Sequence, residues 1–131
     1  MPNSEKECFF CNKAKKDTVF TSKFLFAVRD NKFPVTKHHT LIATHRHVSD
    51  FFDLNDDELN DLIIVLKKQR DLLLKLDKEI TGFNVGVNAG IDAGQSIMHC
   101  HIHLIPRRKG DMDDPKGGVR GVIPSKQKYI K

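Results

Sequence analysis

Between Met98 and Pro106 the chain reads Met-His-Cys-His-Ile-His-Leu-Ile-Pro, with histidine at every second place. Side chains of an extended strand alternate between its two faces. His99, His101 and His103 therefore share one face, and Cys100, Ile102 and Leu104 share the other. The second face is apolar and belongs against a core. The fold must provide a sheet covered on one side and able to receive three imidazoles on the other. Pro106 is expected to end the strand, because proline cannot donate to a ladder.

Other elements are read from pattern. Phe24 to Val28 reads as a buried strand, His39 to Thr44 as a second, and Phe83 to Asn88 as an alternating third. Asn31 to Lys37, with Pro34, reads as a turn. Ser49 is expected to cap a short helical turn over Asp50 to Asp53. The strongest helix signal starts at Asn55, an N-cap whose capping box is completed by Glu58, with Leu54 and Leu59 placed as a hydrophobic staple. Leu59, Leu62, Ile63, Leu66, Leu73 and Leu76 recur at helical spacing and are expected to face the core, with the helix ending near Lys75 to Asp77. Strands folded hairpin-wise around one long helix indicate an α+β chain with helix on one face of an antiparallel sheet.

Composition narrows the class. With 131 residues, 39% hydrophobic and 30% charged, the chain reads as one globular domain. Its longest apolar runs, Leu62 to Leu66 and the equally long Phe24 to Val28, are far short of the roughly 20 residues a membrane span needs. No secretory leader is expected from MPNSEKECFF, and three cysteines make no disulfide framework, so a reducing cytoplasmic setting is expected. Residues 1–106 carry 14 basic and 14 acidic side chains, whereas residues 107–131 carry 8 and 3. The net charge of +5 thus sits in the last segment, which suits a polyanion such as phosphate, nucleotide or nucleic acid, or is simply a solvated tail.

Three alternating histidines can bind a catalytic metal, or one can be a nucleophile while its neighbours bind oxyanions. Neutral imidazole is available at pH 7. The preceding Gly94-Gln95-Ser96 supplies backbone, an amide and a hydroxyl, the parts of a phosphate site. Near the start, Cys8-x-x-Cys11 has zinc-knuckle spacing with no second pair following. A redox pair and two unpaired buried thiols are the competing readings.

His99-Cys100-His101-Ile102-His103-Leu104-Ile105 resembles the motif of the histidine triad (HIT) family of nucleotide hydrolases and transferases. Asn88-Ala89-Gly90, Gly94-Gln95-Ser96, the upstream His39-Thr40-Leu41-Ile42 with His47, and Leu104-Ile105-Pro106-Arg107 add to the resemblance, which spans about residues 8–110. Ala43-Thr44-His45 departs from it, where many members carry Ile-Pro-Lys. The resemblance implies one HIT domain over residues 1–131, with a core at about 8–110 and an irregular basic arm at 111–131. It implies about five antiparallel strands, one long and one short helix, and a sheet joined across a homodimer.

The resemblance also implies roles. His101 would attack the α-phosphorus of a purine nucleotide and form a nucleotidyl-histidine, and His103 would donate to a phosphoryl oxygen. Asn88, Gly94, Gln95 and Ser96 would hold phosphates, with Ser96 near the leaving group. Asp30 would bind the ribose hydroxyls, and Phe26 and the Phe9-Phe10 pair would wall the base or else pack in the core. Cys8, Cys11, His47 and His99 would hold a structural zinc, with no cofactor required for the chemistry. Dinucleoside polyphosphates and nucleoside phosphoramidates are the expected substrates. Arg107 or Arg120 is expected to reach the distal phosphates. No membrane and no stable nucleic-acid partner are expected. A non-catalytic purine-nucleotide-binding module, and a zinc hydrolase using all three strand histidines, are the alternatives.

Overall fold

The computed structural model describes residues 5–129. Five strands form one antiparallel sheet in the order β1-β2-β3-β5-β4: β1 Thr18–Thr21, β2 Leu25–Arg29, β3 Thr40–Thr44, β4 Ile80–Val87 and β5 His101–Arg108. One helix, α1 (Asp56–Leu76), lies between β3 and β4 in the chain. No helix of the described residues is long and apolar enough to cross a membrane.

The pairing register shows how the two faces are used. One row across the sheet runs Thr18, Val28, Leu41, His103 and Gly86. The next runs Phe20, Ala27, Ile42, Ile102 and Val87. A third runs Thr21, Phe26, Ala43 and His101. Residues directly opposite in a ladder share a face. Ala27, Ile42, Cys100 and Ile102 consequently pack with Leu62 and Val65 of α1. Phe26, Val28, Leu41 and Ala43 pack instead with Cys8, Phe10 and Ala14 of the N-terminal segment. The histidine face of β5 is therefore the face that the N-terminal segment partly covers.

The expected capping box is present. Asn55 Oδ1 accepts from the Glu58 N–H at 2.8 Å, and Glu58 Oε1 accepts from the Asn55 N–H at 2.9 Å. The helix buries Glu58, Leu62, Val65, Gln69 and Leu73. That stripe is rotated from the expected one: Leu59, Ile63 and Leu76 are exposed. Polar groups sit in the stripe because each has a partner there. Arg46 binds Glu58 through two nitrogens, at 2.8 and 3.2 Å, and Gln69 Oε1 accepts from Arg29 at 2.7 Å. The short turn at Phe51–Asp53 is a 3-10 helix capped by Asp50, not Ser49; the Asp50 carboxylate accepts from the Phe52 N–H.

Pro106 does not end β5, which continues to Arg108 with Pro106 opposite Phe83. Pairing with β3 stops at Leu104, so beyond it one side of β5 has no ladder partner. The Pro106 carbonyl accepts from Thr36 Oγ1 on that side at 2.6 Å. A strand residue points its N–H and C=O the same way, so the missing N–H falls where no ladder bond was needed. β5 also begins later than expected. His99 and Cys100 precede the paired strand, although both keep the alternation of faces.

Candidate active site and metal-ligand cluster

The N-terminal segment meets the loop after β3 and the residues leading into β5 through a cluster of four side chains. Sγ of Cys8 and Cys11 and Nδ1 of His47 and His99 all lie within 4.8 Å of one another. Nδ1 of His99 is 3.3 Å from Cys8 Sγ, 3.5 Å from Cys11 Sγ and 3.2 Å from His47 Nδ1, and Cys11 Sγ is 3.3 Å from His47 Nδ1. A tetrahedral zinc with ordinary Zn–S and Zn–N lengths needs ligand separations of about 3.3 to 3.8 Å, so the spacing fits. Chemistry fits as well. The buried His99 uses Nε2–H to donate to the Thr44 carbonyl at 2.7 Å, which leaves the Nδ1 lone pair facing the cluster. Burial pushes His99 down to about 4, so it is the neutral, ligating form at pH 7. Burial and the adjacent Cys8 push the Cys11 thiol up to about 11, the direction expected of crowded donors and one that a cation reverses. Among the described residues, His101 and His103 do not join this group, so the three strand histidines do not converge as metal ligands.

His101 is held differently. Its Nδ1–H donates to the His99 carbonyl at 2.8 Å. A carbonyl only accepts, so the neutral ring carries its lone pair on Nε2. Burial lowers its pKa below the ordinary imidazole value, against a raising contribution from that same hydrogen bond. Phe10, fully buried, lies 4.7 Å from the His101 ring, centroid to centroid.

His103 has the complementary tautomer. The Val35 N–H donates to Nδ1 of the buried His39 at 3.0 Å, so a neutral His39 bears its proton on Nε2. That Nε2 lies 2.9 Å from His103 Nδ1 and donates to it. His103 therefore keeps its own proton on Nε2. Burial, followed by repulsion from His101 and His39, pushes His103 down to about 4. A lone pair on one ring and an N–H on the other stand side by side, with ring centroids 5.3 Å apart. This pairing can attack an electrophile and donate to an oxyanion.

A cavity of about 590 Å³ adjoins the histidines, with Phe9, Val28, Asp30, Leu41, Ser96 and Ile97 among its walls. His101 and His103 are not themselves walls; Leu41, paired with His103 across the ladder, marks the junction. Asp30 is at the end of β2, its Oδ1 accepting from the N–H groups of Lys32 and Phe33. Asn88 and Gly94 are brought together, since a Cβ on Gly94 would lie 3.9 Å from Asn88 Nδ2. Gly94 has φ +95°, a left-handed turn that glycine adopts without strain.

Five expected site residues stand elsewhere; Phe10 is fully buried against His101 and does not line the cavity. Phe26 is buried against His45, ring centroids 5.4 Å apart, and does not line the cavity. Gln95 is buried with its amide spent on backbone: Oε1 accepts from the Gly90 N–H, and Nε2 donates to Ser49 and Ile97 carbonyls. It shapes the loop before the triad rather than presenting an amide to phosphate. Arg107 is likewise committed, to both carboxylate oxygens of Asp111 and to Asn84 Oδ1. Arg120 donates to the Gln127 carbonyl and lies over the Tyr129 ring at 5.1 Å. Val28 and Leu41 were not singled out as cavity walls from the sequence. Their signal was the alternation of β2 and β3, which puts both on the histidine face once register is known.

Residues 12–110 match the HIT domain family model. The chain is 42% identical over 98 residues to the nitrilase and fragile histidine triad fusion protein NitFhit of Caenorhabditis elegans, covering 75% of this chain and 22% of that protein. It is 32% identical over 109 residues to the asymmetrical bis(5'-nucleosyl)-tetraphosphatase of Schizosaccharomyces pombe, covering 83% and 59%. It thus spans less than two-thirds of either relative. A HIT family protein from Bacillus anthracis superposes with a TM-score of 0.73 at 29% identity, covering 82% of this chain and 78% of that one. The sheet, the histidine face and these likenesses agree: the chain belongs to the HIT domain family.

Proposed function

We propose that the protein hydrolyses dinucleoside polyphosphates or nucleoside phosphoramidates at the α-phosphate through a covalent nucleotidyl-His101. The observation that carries this reading is the His101 Nδ1–H bond to the His99 carbonyl, which directs the lone pair to Nε2 beside the Nε2–H of His103. Nε2 of His101 forms a bond to the α-phosphorus as the bond to the leaving phosphate or amine breaks and carries its electron pair away. Water then attacks the same phosphorus and releases a proton to solvent, the P–N bond breaks, and the electron pair returns to Nε2; a leaving amine takes up a proton from solvent as it departs. His103 donates to a non-bridging oxygen as charge builds in each step. Asp30 accepts from the ribose hydroxyls, Asn88 and the loop at Gly94 approach the phosphates, and Ser96 stands near the leaving group. Phe9, Val28, Leu41 and Ile97 supply the apolar walls for a purine base. The named activity of the yeast tetraphosphatase supports the polyphosphate class.

The Cys8, Cys11, His47 and His99 donors fit zinc in a closed four-ligand site, whose contribution is cross-linking the N-terminal segment to β5. His99, so engaged, takes no part in proton transfer. Two copies are further proposed to pair through the outer edge of β4, which ends the sheet and exposes Val85; sedimentation at a single-chain mass would contradict that pairing.

The test is hydrolysis of diadenosine tetraphosphate and adenosine phosphoramidate in ¹⁸O-water by zinc-loaded protein. Label in the adenosine monophosphate product, lost in His101→Ala, is expected. Binding of nucleotide without any product would overturn the hydrolase reading in favour of a binding module.

A further inference from the structure

Cys8-Phe9-Phe10-Cys11 does more than present two thiols. The turn is tied to itself: Asn12 Nδ2 donates to the Cys8 carbonyl at 2.9 Å, and the Ala14 N–H donates to the Phe9 carbonyl at 2.9 Å. Between the two cysteines stand two rings in edge-to-face contact, 5.1 Å apart at 77°. Phe10 points inward and touches both functions, lying 5.6 Å from the His99 ring and 4.7 Å from the His101 ring. Phe9 points outward, remains 37% exposed and walls the cavity. One four-residue turn therefore carries two metal ligands, a packing partner of the nucleophile and a surface for the base.

We propose that Phe9 and Phe10 are positioning residues that couple the Cys8, Cys11, His47 and His99 cluster to the nucleotide cleft, so that zinc and nucleotide each raise the affinity for the other. This rests on the nucleotide reading above. The physical argument is shared ordering. The turn sits on the sheet through Cys8 and Phe10, which pack with Phe26, Val28, Leu41 and Ala43, and through the four ligands, while Phe9 stays partly exposed. A metal at the cluster fixes Phe9 in the cavity wall and Phe10 on His101. A base stacked on Phe9 fixes the same turn from the other side. Whichever ligand binds second meets a turn already ordered, and linkage makes the two gains equal.

The experiment measures zinc affinity by competition with a chromogenic chelator, with and without saturating adenosine monophosphate. It also measures adenosine monophosphate affinity by calorimetry on zinc-loaded and zinc-stripped protein, with circular dichroism on both. Nucleotide should tighten zinc binding by about 5-fold or more, the lower end of ordinary site-to-site coupling, and zinc should tighten nucleotide binding by the same factor. In Phe9→Ala, zinc affinity without nucleotide should stay within about twofold, while the coupling factor, compared at equal multiples of each protein's own nucleotide dissociation constant, should fall toward one. Should zinc removal unfold the chain, linkage through folding alone would persist in Phe9→Ala, and an unchanged factor there overturns the proposal. Equal nucleotide affinity with and without zinc also overturns it while leaving the nucleotide reading intact. Failure of zinc-loaded protein to bind adenosine monophosphate would overturn both.

Discussion

His39 Nε2 lies 2.9 Å from His103 Nδ1, and the Val35 N–H donates to the other nitrogen of His39. A backbone donor thus dictates, through one imidazole, where a second imidazole carries its proton. His39 is 2% exposed, so no water substitutes easily at this contact.

Replacing His39 should therefore act on chemistry more than on binding. His39→Asn is expected to lower kcat by roughly 10- to 100-fold, the usual cost of losing an orienting partner, with KM changed much less. Steady-state kinetics on diadenosine tetraphosphate provide the check. A KM effect with unchanged kcat would contradict the assignment of His39 as an orienting group.

Acid should act on His103 well below the ordinary histidine range. Burial pushes its imidazole from 6.5 down to about 4. In that interval the unfolded chain binds a proton that the folded one refuses. The stability contributed by this group is complete above 6.5 and is lost as pH falls toward about 4. The His103 ring resonances should titrate with a midpoint near 4, and the urea midpoint should fall between neutral pH and pH 5 by less in His103→Asn than in wild type. A ring midpoint near 6.5 would contradict the burial argument.

Removal of metal should act on stability first. Cys8→Ser with Cys11→Ser, or exhaustive chelation, is expected to take away the proposed zinc cross-link from the N-terminal segment to His47 and His99. A loss of several kcal/mol would lower Tm by about 10 °C or more in a chain of this size. Scanning calorimetry with metal analysis, expected to find one zinc per chain, checks this. Unchanged Tm after complete metal removal would contradict it.

Glu58 joins two parts of the fold. It closes the capping box of α1 and accepts two hydrogen bonds from Arg46, whose own side chain is half exposed. The Arg46 hydrogen bond, with the Asn55 N–H adding to it, holds the Glu58 carboxyl below its usual range despite burial. Glu58→Ala should cost about 2 kcal/mol, combining a lost cap contact with loss of the charged partner, read as a lower urea midpoint at unchanged m-value. No shift in midpoint would contradict this role.

Much of this arrangement is legible in the amino-acid sequence. Alternation at His99 to Leu104 identifies the covered and open faces, and Asn55 with Glu58 marks where the helix begins, because both signals are local. The triad and the cysteine pair gave the metal cluster through resemblance to a family, not through spacing, since His47 and Cys11 lie 36 positions apart. Long-range partners were harder to see. Phe26 reads as an aromatic beside a nucleotide site, yet its strand position puts it under Cys8 and Phe10. The buried helix stripe is hidden in the sequence because Glu58 and Gln69 count as polar, although Arg46 and Arg29 satisfy them inside the fold. Pro106 is tolerated only because β3 stops pairing at Leu104, a tertiary fact invisible in sequence.

The central claim is covalent catalysis at His101, and intact-protein mass spectrometry after acid-free rapid quenching of a slowly hydrolysed adenosine phosphoramidate tests it most directly. Wild-type protein should gain the mass of one adenosine monophosphate less one water, localised by peptide mapping to His101, and His101→Ala should gain none. Steady turnover by a correctly folded His101→Ala protein at the wild-type rate, or an adduct mapped to His99 or His103 instead, would contradict the account.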